Sequence, residues 1–103
     1  ANGGRIRAAH ATDIPLVFDN LAQPGSLTAP TPSNQAVADR MSSAFIAFAR
    51  TGDPNHAGLP RWTPYELERR ATMIFDAETR MVDDPRGAER RLFAAVPYVQ
   101  PGT

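Results

Sequence analysis

The clearest periodic segment of the chain predicts a helix from about residue 34 to residue 51. Its apolar positions recur every three or four residues and therefore lie on one face of the helix. These positions are Val37, Met41, Ala44, Phe45 and Phe48. Ser33 is expected to cap the first turn, because a serine oxygen accepts hydrogen bonds from the free amides there. Gly52 and Pro54 follow the last turn, which is typical of a helix that ends at a left-handed glycine.

A second, shorter helical stretch is predicted at residues 13–20, close to the first of two histidines. Thr12 or Asp13 suits its N-cap, because either side chain can accept a hydrogen bond from an amide of the first turn. Pro15 falls within that turn, where its missing N–H leaves no hydrogen bond unmade. The pattern therefore predicts a turn of helix soon after His10.

The second half of the chain predicts one strand and one more helix. Residues 71–76 have the composition of a short strand. Residues 86–96 form a terminal helix, with Leu92 and Phe93 expected to face inward. Between the long helix and the strand, Trp62 is expected to pin a loop to the core. Because a lone strand cannot satisfy its own backbone groups, its partner is expected on a second copy of the chain or on polypeptide outside it.

Composition excludes several classes of protein. The chain has 103 residues, at most one domain, and 42% of them are hydrophobic, as in ordinary globular proteins. Eleven basic residues balance eleven acidic ones, so the strongly basic footprint of a nucleic-acid binder is absent. No apolar run approaches the roughly 20 residues of a membrane span. Without cysteine, a disulfide framework and a cysteine nucleophile are excluded within this chain.

The polar residue types do not add up to a complete catalytic or metal site. His10 and Asp13 offer two metal ligands at most, and His56 lies in a distant turn, whereas three or four convergent ligands are normal. No metal and no cofactor is therefore expected. Glycine-rich phosphate loops are absent, and no serine lies in the G-x-S-x-G frame of a nucleophile elbow. On composition alone, His10 is best explained as a hydrogen-bonded structural residue and Asp13 as a helix cap.

Three stretches in a fixed order are more specific than any single residue. They are HATDIPLVF at residues 10–18, FIAFARTGDPN at residues 45–55, and LPRWTPY at residues 59–65 with ATMIFD at residues 71–76. Together they resemble the C-terminal part of the type-B carboxylesterases, the esterase and lipase family that includes the cholinesterases and the bacterial para-nitrobenzyl esterases. FARTGDPN is the most specific piece, and the resemblance extends over residues 8–93.

The resemblance implies the α/β-hydrolase fold and the hydrolysis of carboxylic esters by a triad that comes in the chain order serine, acid, histidine. His10 matches the family's catalytic histidine in the motif H-x-x-[D/E]-I-P. Asp13 matches the family's second acidic position, which is expected to cap the following turn and to hold the histidine loop, and is not the triad acid. Ala9, Ala11 and Thr12 flank the base and are expected to line the substrate pocket.

The same resemblance implies that residues 1–103 are a mostly helical α+β fragment from the C-terminal portion of one esterase domain, beginning at an internal point. The serine, the triad acid and the oxyanion hole are expected upstream, so the isolated chain is expected to be inactive. Its expected partners are a small carboxylic ester and the remainder of the domain. Two alternatives stay open: an esterase-like adhesion or binding module without catalysis, and a self-associating helical fragment driven by uncovered apolar faces.

Overall fold

The computed structural model describes residues 5–99, which form three helices and one antiparallel pair of strands. In chain order, the elements are α1 (Ile14–Val17), α2 (Pro32–Thr51), β1 (Ala71–Ile74), β2 (Arg80–Asp83) and α3 (Gly87–Ala94). The predicted helices and the predicted strand are all present, each with somewhat different bounds. Among residues 5–99, no helix combines the length and the apolar character that a bilayer crossing demands.

Helix α2 begins two residues before the predicted start, and its cap is not Ser33. Thr31 occupies the N-cap with an extended backbone, and its Oγ1 accepts a hydrogen bond from the Asn34 N–H at 3.2 Å. Pro32 is the first helical residue, a position that suits proline because its φ is already helical and no N–H is needed. The prediction of Ser33 as the cap was therefore wrong, because the Thr-Pro pair before it starts the helix earlier.

Strand β1 has its partner within the chain, contrary to the expectation of a partner on other polypeptide. It pairs with β2 in antiparallel register, from Ala71 opposite Asp83 to Ile74 opposite Arg80. In the connection between the strands, the Thr79 hydroxyl donates to the Asp76 carbonyl at 3.0 Å, and the Asp76 carboxylate accepts a hydrogen bond from the Ala77 N–H at 2.7 Å. Pairing of this kind satisfies the inner backbone groups of both strands without a second copy.

The core is small and forms mainly where α1 packs against α2 and beneath the hairpin. Its buried apolar side chains are Leu21, Val37, Ala38, Ala44, Ala71 and Met73. The predicted face of α2 is only partly covered, since Phe45 and Phe48 are 55% and 58% exposed. The covered part of that face therefore includes Val37 and Ala44, while its aromatic residues are left uncovered by residues 5–99.

Helix α3 is tethered at its first turn and otherwise uncovered. The Asp84 carboxylate accepts two hydrogen bonds from Arg90, from Nε at 3.0 Å and from Nη2 at 2.8 Å. Leu92 and Phe93, which were expected to face inward, are 67% and 69% exposed, so that expectation was wrong for this chain. The physical reason is that α3 packs on no other helix or strand among residues 5–99.

Candidate active site around His10

His10 lies on an exposed turn that leads into α1. Thr12 closes this turn twice, since its N–H and its hydroxyl both donate to the Ala9 carbonyl, at 3.3 and 2.7 Å. Ala11, the third residue of the turn, has a φ of 67°. A type II turn requires a positive φ at that position, where glycine is usual, and a side chain there costs roughly 1 kcal/mol. The backbone around His10 is therefore bent into a conformation that alanine does not favour by itself.

The two histidines of the chain differ in the hydrogen bonds that their ring nitrogens make. At His56, Nδ1 accepts a hydrogen bond from the Gly58 N–H at 3.1 Å, and Nε2 lies 3.0 Å from the Arg40 carbonyl. A carbonyl only accepts, so Nε2 carries the proton and both nitrogens are committed. The exposed ring of His10, by contrast, has no hydrogen-bonding partner within residues 5–99. In that part of the chain, His10 is thus the histidine whose ring makes no hydrogen bond, whereas both ring nitrogens of His56 make one.

Asp13 occupies the N-cap position of α1 but does not cap it with its side chain. Its φ of −79° and ψ of −26° are already helical, whereas a capping side chain needs an extended backbone to reach the amides of the first turn. Thr12 does not supply the cap either, since its hydroxyl donates to Ala9 and accepts no hydrogen bond from an amide of α1. The prediction of a side-chain cap at Thr12 or Asp13 was therefore wrong. Pro15 does lie in the first turn, as predicted.

The other residues predicted at the site surround the same turn. Ala9 is exposed, whereas Ala11 and Thr12 are half-buried. The Asp13 carboxylate is exposed and makes no hydrogen bond to His10 in the structure of residues 5–99. Over those same residues, no three histidine, cysteine, aspartate or glutamate side chains come together as a metal site would require. The turn by itself thus presents one imidazole, one nearby carboxylate and small neighbours.

The sequence TGDPN, which ends the most specific of the three stretches, forms the exit from α2. Gly52 adopts a φ of 77°, and its N–H donates to the Phe48 carbonyl at 2.8 Å, so the helix ends in the left-handed conformation that was predicted. Thr51 Oγ1 donates to the Ala47 carbonyl and accepts a hydrogen bond from the Asp53 N–H. These contacts fix the direction in which the backbone leaves α2.

Asn55 then connects this exit to the Trp62 segment. Its Oδ1 accepts the Trp62 N–H at 2.7 Å, and its Nδ2 donates to the Trp62 carbonyl at 2.9 Å. Nδ2 also donates to the Asp53 carboxylate at 2.7 Å. The pKa of the Asp53 carboxyl is lowered mainly by the hydrogen bond from the Asn55 backbone N–H. The hydrogen bond from the Asn55 side-chain amide and the nearby charge of Arg61 lower it further. The Asn55 side-chain amide thus hydrogen-bonds both the N–H and the carbonyl of Trp62, as the backbone of a neighbouring β-strand would.

Trp62 packs as the sequence predicts. Its ring meets Phe75 edge to face, with centroids 5.9 Å apart and planes inclined at 68°. This is one of the arrangements that aromatic pairs prefer. It joins the loop after α2 to the residue that follows β1. The TGDPN end of the FARTGDPN stretch is therefore explained by folding contacts.

Comparison with known sequences identifies the same kind of enzyme that the three stretches indicate. Residues 4–101 match the carboxylesterase family. The chain is 32% identical over 87 residues to the para-nitrobenzyl esterase of Bacillus subtilis (strain 168), an alignment that covers 82% of this chain and 18% of that protein. The chain thus spans less than a fifth of that curated relative.

Comparison with solved structures agrees. The chain superposes on the Geobacillus stearothermophilus carboxylesterase at pH 6.2 with a TM-score of 0.72 and 46% identity, over 82% of this chain and 18% of that one. It superposes on an esterase of the anaerobe Clostridium hathewayi that can hydrolyze aliphatic aromatic polyesters with a TM-score of 0.73 and 33% identity, over 84% and 17% of the two chains. These neighbours are esterases of the α/β-hydrolase type. The predicted resemblance is confirmed, and the chain belongs to the carboxylesterase family.

Proposed function

We propose that the chain is the C-terminal portion of a serine carboxylesterase domain, in which His10 is the general acid and base of ester hydrolysis. One observation supports this role above the others. The His10 ring is exposed on a fixed turn with neither nitrogen committed to residues 5–99, whereas both nitrogens of His56 are hydrogen-bonded. A residue that shuttles a proton needs such access to its reaction partners.

The proposed chemistry has two proton transfers. His10 accepts the proton of a serine hydroxyl as that oxygen attacks the ester carbonyl, and it then donates the proton to the departing alcohol. A carboxylate hydrogen-bonded to the other ring nitrogen orients the imidazole and stabilises its charged form. The serine, this carboxylate and the oxyanion-hole donors are supplied by polypeptide outside the 103 residues. The isolated chain therefore lacks two of the three triad members and is inactive.

The neighbours of His10 have supporting roles in this proposal. The exposed Asp13 carboxylate lies three positions after the base, and we assign it a partner on the rest of the domain that holds the histidine turn in place. Ala9 and Ala11, together with Thr12, border the acyl or alcohol site, where small side chains leave room for bulky groups. Ala9→Leu should therefore lower kcat/KM for long-chain nitrophenyl esters more than for the acetate. An unchanged ratio between the two substrates counts against this pocket assignment.

The matched pair of histidines provides the experiment. In the intact esterase that carries this segment, His10→Gln is expected to lower kcat by about three orders of magnitude or more, because the serine loses its base. His56→Gln removes the same chemical group from a structural position, and it is expected to lower thermal stability while kcat stays within about twofold. A His10→Gln enzyme with kcat close to that of the wild type would refute the role of His10.

An esterase-like module without catalysis is the competing function. It predicts that the intact protein has no G-x-S-x-G serine elbow and that His10→Gln leaves its binding function unchanged. The sequence upstream of this segment therefore separates the two functions before any assay.

A further inference from the structure

We propose that Thr28 is a positioning residue for His10 and that it acts through the backbone of the histidine turn. The inference rests on the proposed function of His10 as the base. Thr28 Oγ1 donates a hydrogen bond of 2.6 Å to the carbonyl of Thr12, which lies 16 positions earlier in the chain. Both threonines are half-buried, so this bond is partly sheltered from competing water.

The bond reaches the turn at the residue that closes it. Thr12 is joined to Ala9 through its N–H and its hydroxyl, and its carbonyl is held by Thr28. The bend containing His10 is therefore closed by hydrogen bonds between its own ends, and Thr28 holds it from outside at Thr12. Such support matters here because Ala11 adopts a φ of 67°, a conformation that an alanine leaves readily when nothing holds it.

Thr28 is itself held by its surroundings. Ser26 Oγ donates to the Thr28 carbonyl at 2.8 Å and accepts a hydrogen bond from the Thr28 N–H at 3.3 Å. The adjoining Ala29 carbonyl accepts a hydrogen bond of 2.8 Å from Asn34 Nδ2, in the first turn of α2. A continuous set of contacts thus runs from the longest helix of the chain, through residues 26–29, to the turn that carries the imidazole.

Anchoring the turn matters for proton transfer, because the imidazole must come within about 2.6–3.2 Å of the hydroxyl whose proton it takes. A displacement of 1 Å, even one caused far from the reacting atoms, can slow a reaction by about 10²-fold. A turn that is anchored to α2 keeps His10 at a defined distance from a serine on another part of the domain, and Thr28 supplies the anchoring bond.

The test replaces Thr28 by valine in the intact esterase, which keeps the shape of the side chain and removes its hydroxyl. With para-nitrophenyl acetate as substrate, kcat is expected to fall about fivefold, the rate equivalent of one lost hydrogen bond, with KM unchanged. Thr28→Ser restores the hydroxyl and is expected to recover kcat.

Thr72→Val is the matched control. The half-buried Thr72 hydroxyl also donates to a backbone carbonyl, that of Arg70 at 2.9 Å, but it lies on the hairpin. This variant is expected to keep kcat within about twofold of the wild type. If Thr28→Val and Thr72→Val lower kcat equally, or if Thr28→Ser fails to recover it, the positioning role is overturned.

A double variant separates the two proposals. On a His10→Gln background, Thr28→Val is expected to leave the residual rate unchanged, because Thr28 acts through the imidazole that is already missing. A further fivefold drop would show that Thr28 acts on something else. If His10→Gln by itself keeps full activity, the proposed function fails. If His10→Gln is inactive while Thr28→Val keeps the wild-type kcat, the positioning role alone fails.

Discussion

Replacing Asn55 by alanine tests the structural role of TGDPN, the end of the FARTGDPN stretch. The substitution removes three side-chain hydrogen bonds at once. Two of them pair with the Trp62 backbone, at 2.7 and 2.9 Å, and the third reaches the Asp53 carboxylate at 2.7 Å. The backbone N–H of residue 55 still donates to Asp53, so the turn that follows α2 keeps one of its contacts.

The magnitude follows from the burial of each bond. The two bonds to Trp62 are partly buried, and each contributes about 1 kcal/mol net, whereas the exposed bond to Asp53 contributes little. Local opening of the Trp62 segment should therefore become easier by about 2 kcal/mol. Since 1.4 kcal/mol corresponds to a factor of ten, this cost corresponds to roughly a 30-fold increase in the open population.

Hydrogen exchange measures that population directly. In the intact esterase, peptides that contain the Trp62 amide should exchange about 30-fold faster in Asn55→Ala than in the wild type. Asn20→Ala is the control, because the exposed Asn20 side chain makes no hydrogen bond within residues 5–99. Unchanged exchange at Trp62 in Asn55→Ala, or equal acceleration in both variants, would refute the stabilising role of the Asn55–Trp62 hydrogen bonds.

Four further predictions concern the α3 tether and the isolated chain. A Cβ added at Gly87 would lie 2.5 Å from Asp84 Oδ2, so Gly87→Ala should displace that carboxylate, break its pair with Arg90 and speed hydrogen exchange in α3. Unchanged exchange in α3 would contradict this expectation. Hydrogen bonding by Arg90 lowers the pKa of Asp84. The Asp84–Arg90 pair therefore stabilises the fold fully above the ordinary aspartate pKa of about 3.9, and this stabilisation is lost as the pH falls through the lowered pKa. The difference in thermal midpoint between wild type and Asp84→Asn should therefore narrow below about pH 4, and a constant difference would contradict this assignment. The isolated 103-residue chain should release no stoichiometric burst of nitrophenol from a nitrophenyl ester, and a burst with a trapped acyl-serine would contradict this expectation. Light scattering should show that the same chain self-associates through its exposed apolar faces, and a monomer at high concentration would contradict that.

The elements that sequence predicts well here are those specified by neighbouring residues. Helix α2 has a regular apolar spacing, and its end is encoded by Gly52 and the proline that follows two residues later. Strand β2 was missed because it has only Met81 and Val82 between charged residues, which is too short for a recognisable alternation. Its existence depends on pairing with β1, and a local pattern does not reveal such pairing.

The exposure of α3 shows a second limit. An amphipathic pattern tells which side of a helix is apolar, but not whether the chain contains anything to cover that side. Leu92 and Phe93 are of residue types that are usually buried, yet they are exposed because no other helix or strand among residues 5–99 packs against α3.

The candidate site was predictable only in part. Composition does not distinguish His10 from His56, and the motif around His10 was informative only through its resemblance to a known family. The structure adds what spacing cannot show, namely that the ring nitrogens of His56 are both hydrogen-bonded. Thr28 carried no signal at all, because its contact with Thr12 joins residues 16 positions apart across an irregular loop.

A crystal structure of the intact esterase that contains this segment tests the central claim most directly. The quantity to measure is the distance from a ring nitrogen of His10 to the nearest serine hydroxyl on a strand-to-helix bend. The account predicts a separation of about 2.6–3.2 Å, with a carboxylate on the other ring nitrogen. A His10 ring that faces no such serine, or that is enclosed by hydrocarbon away from any cleft, would contradict it.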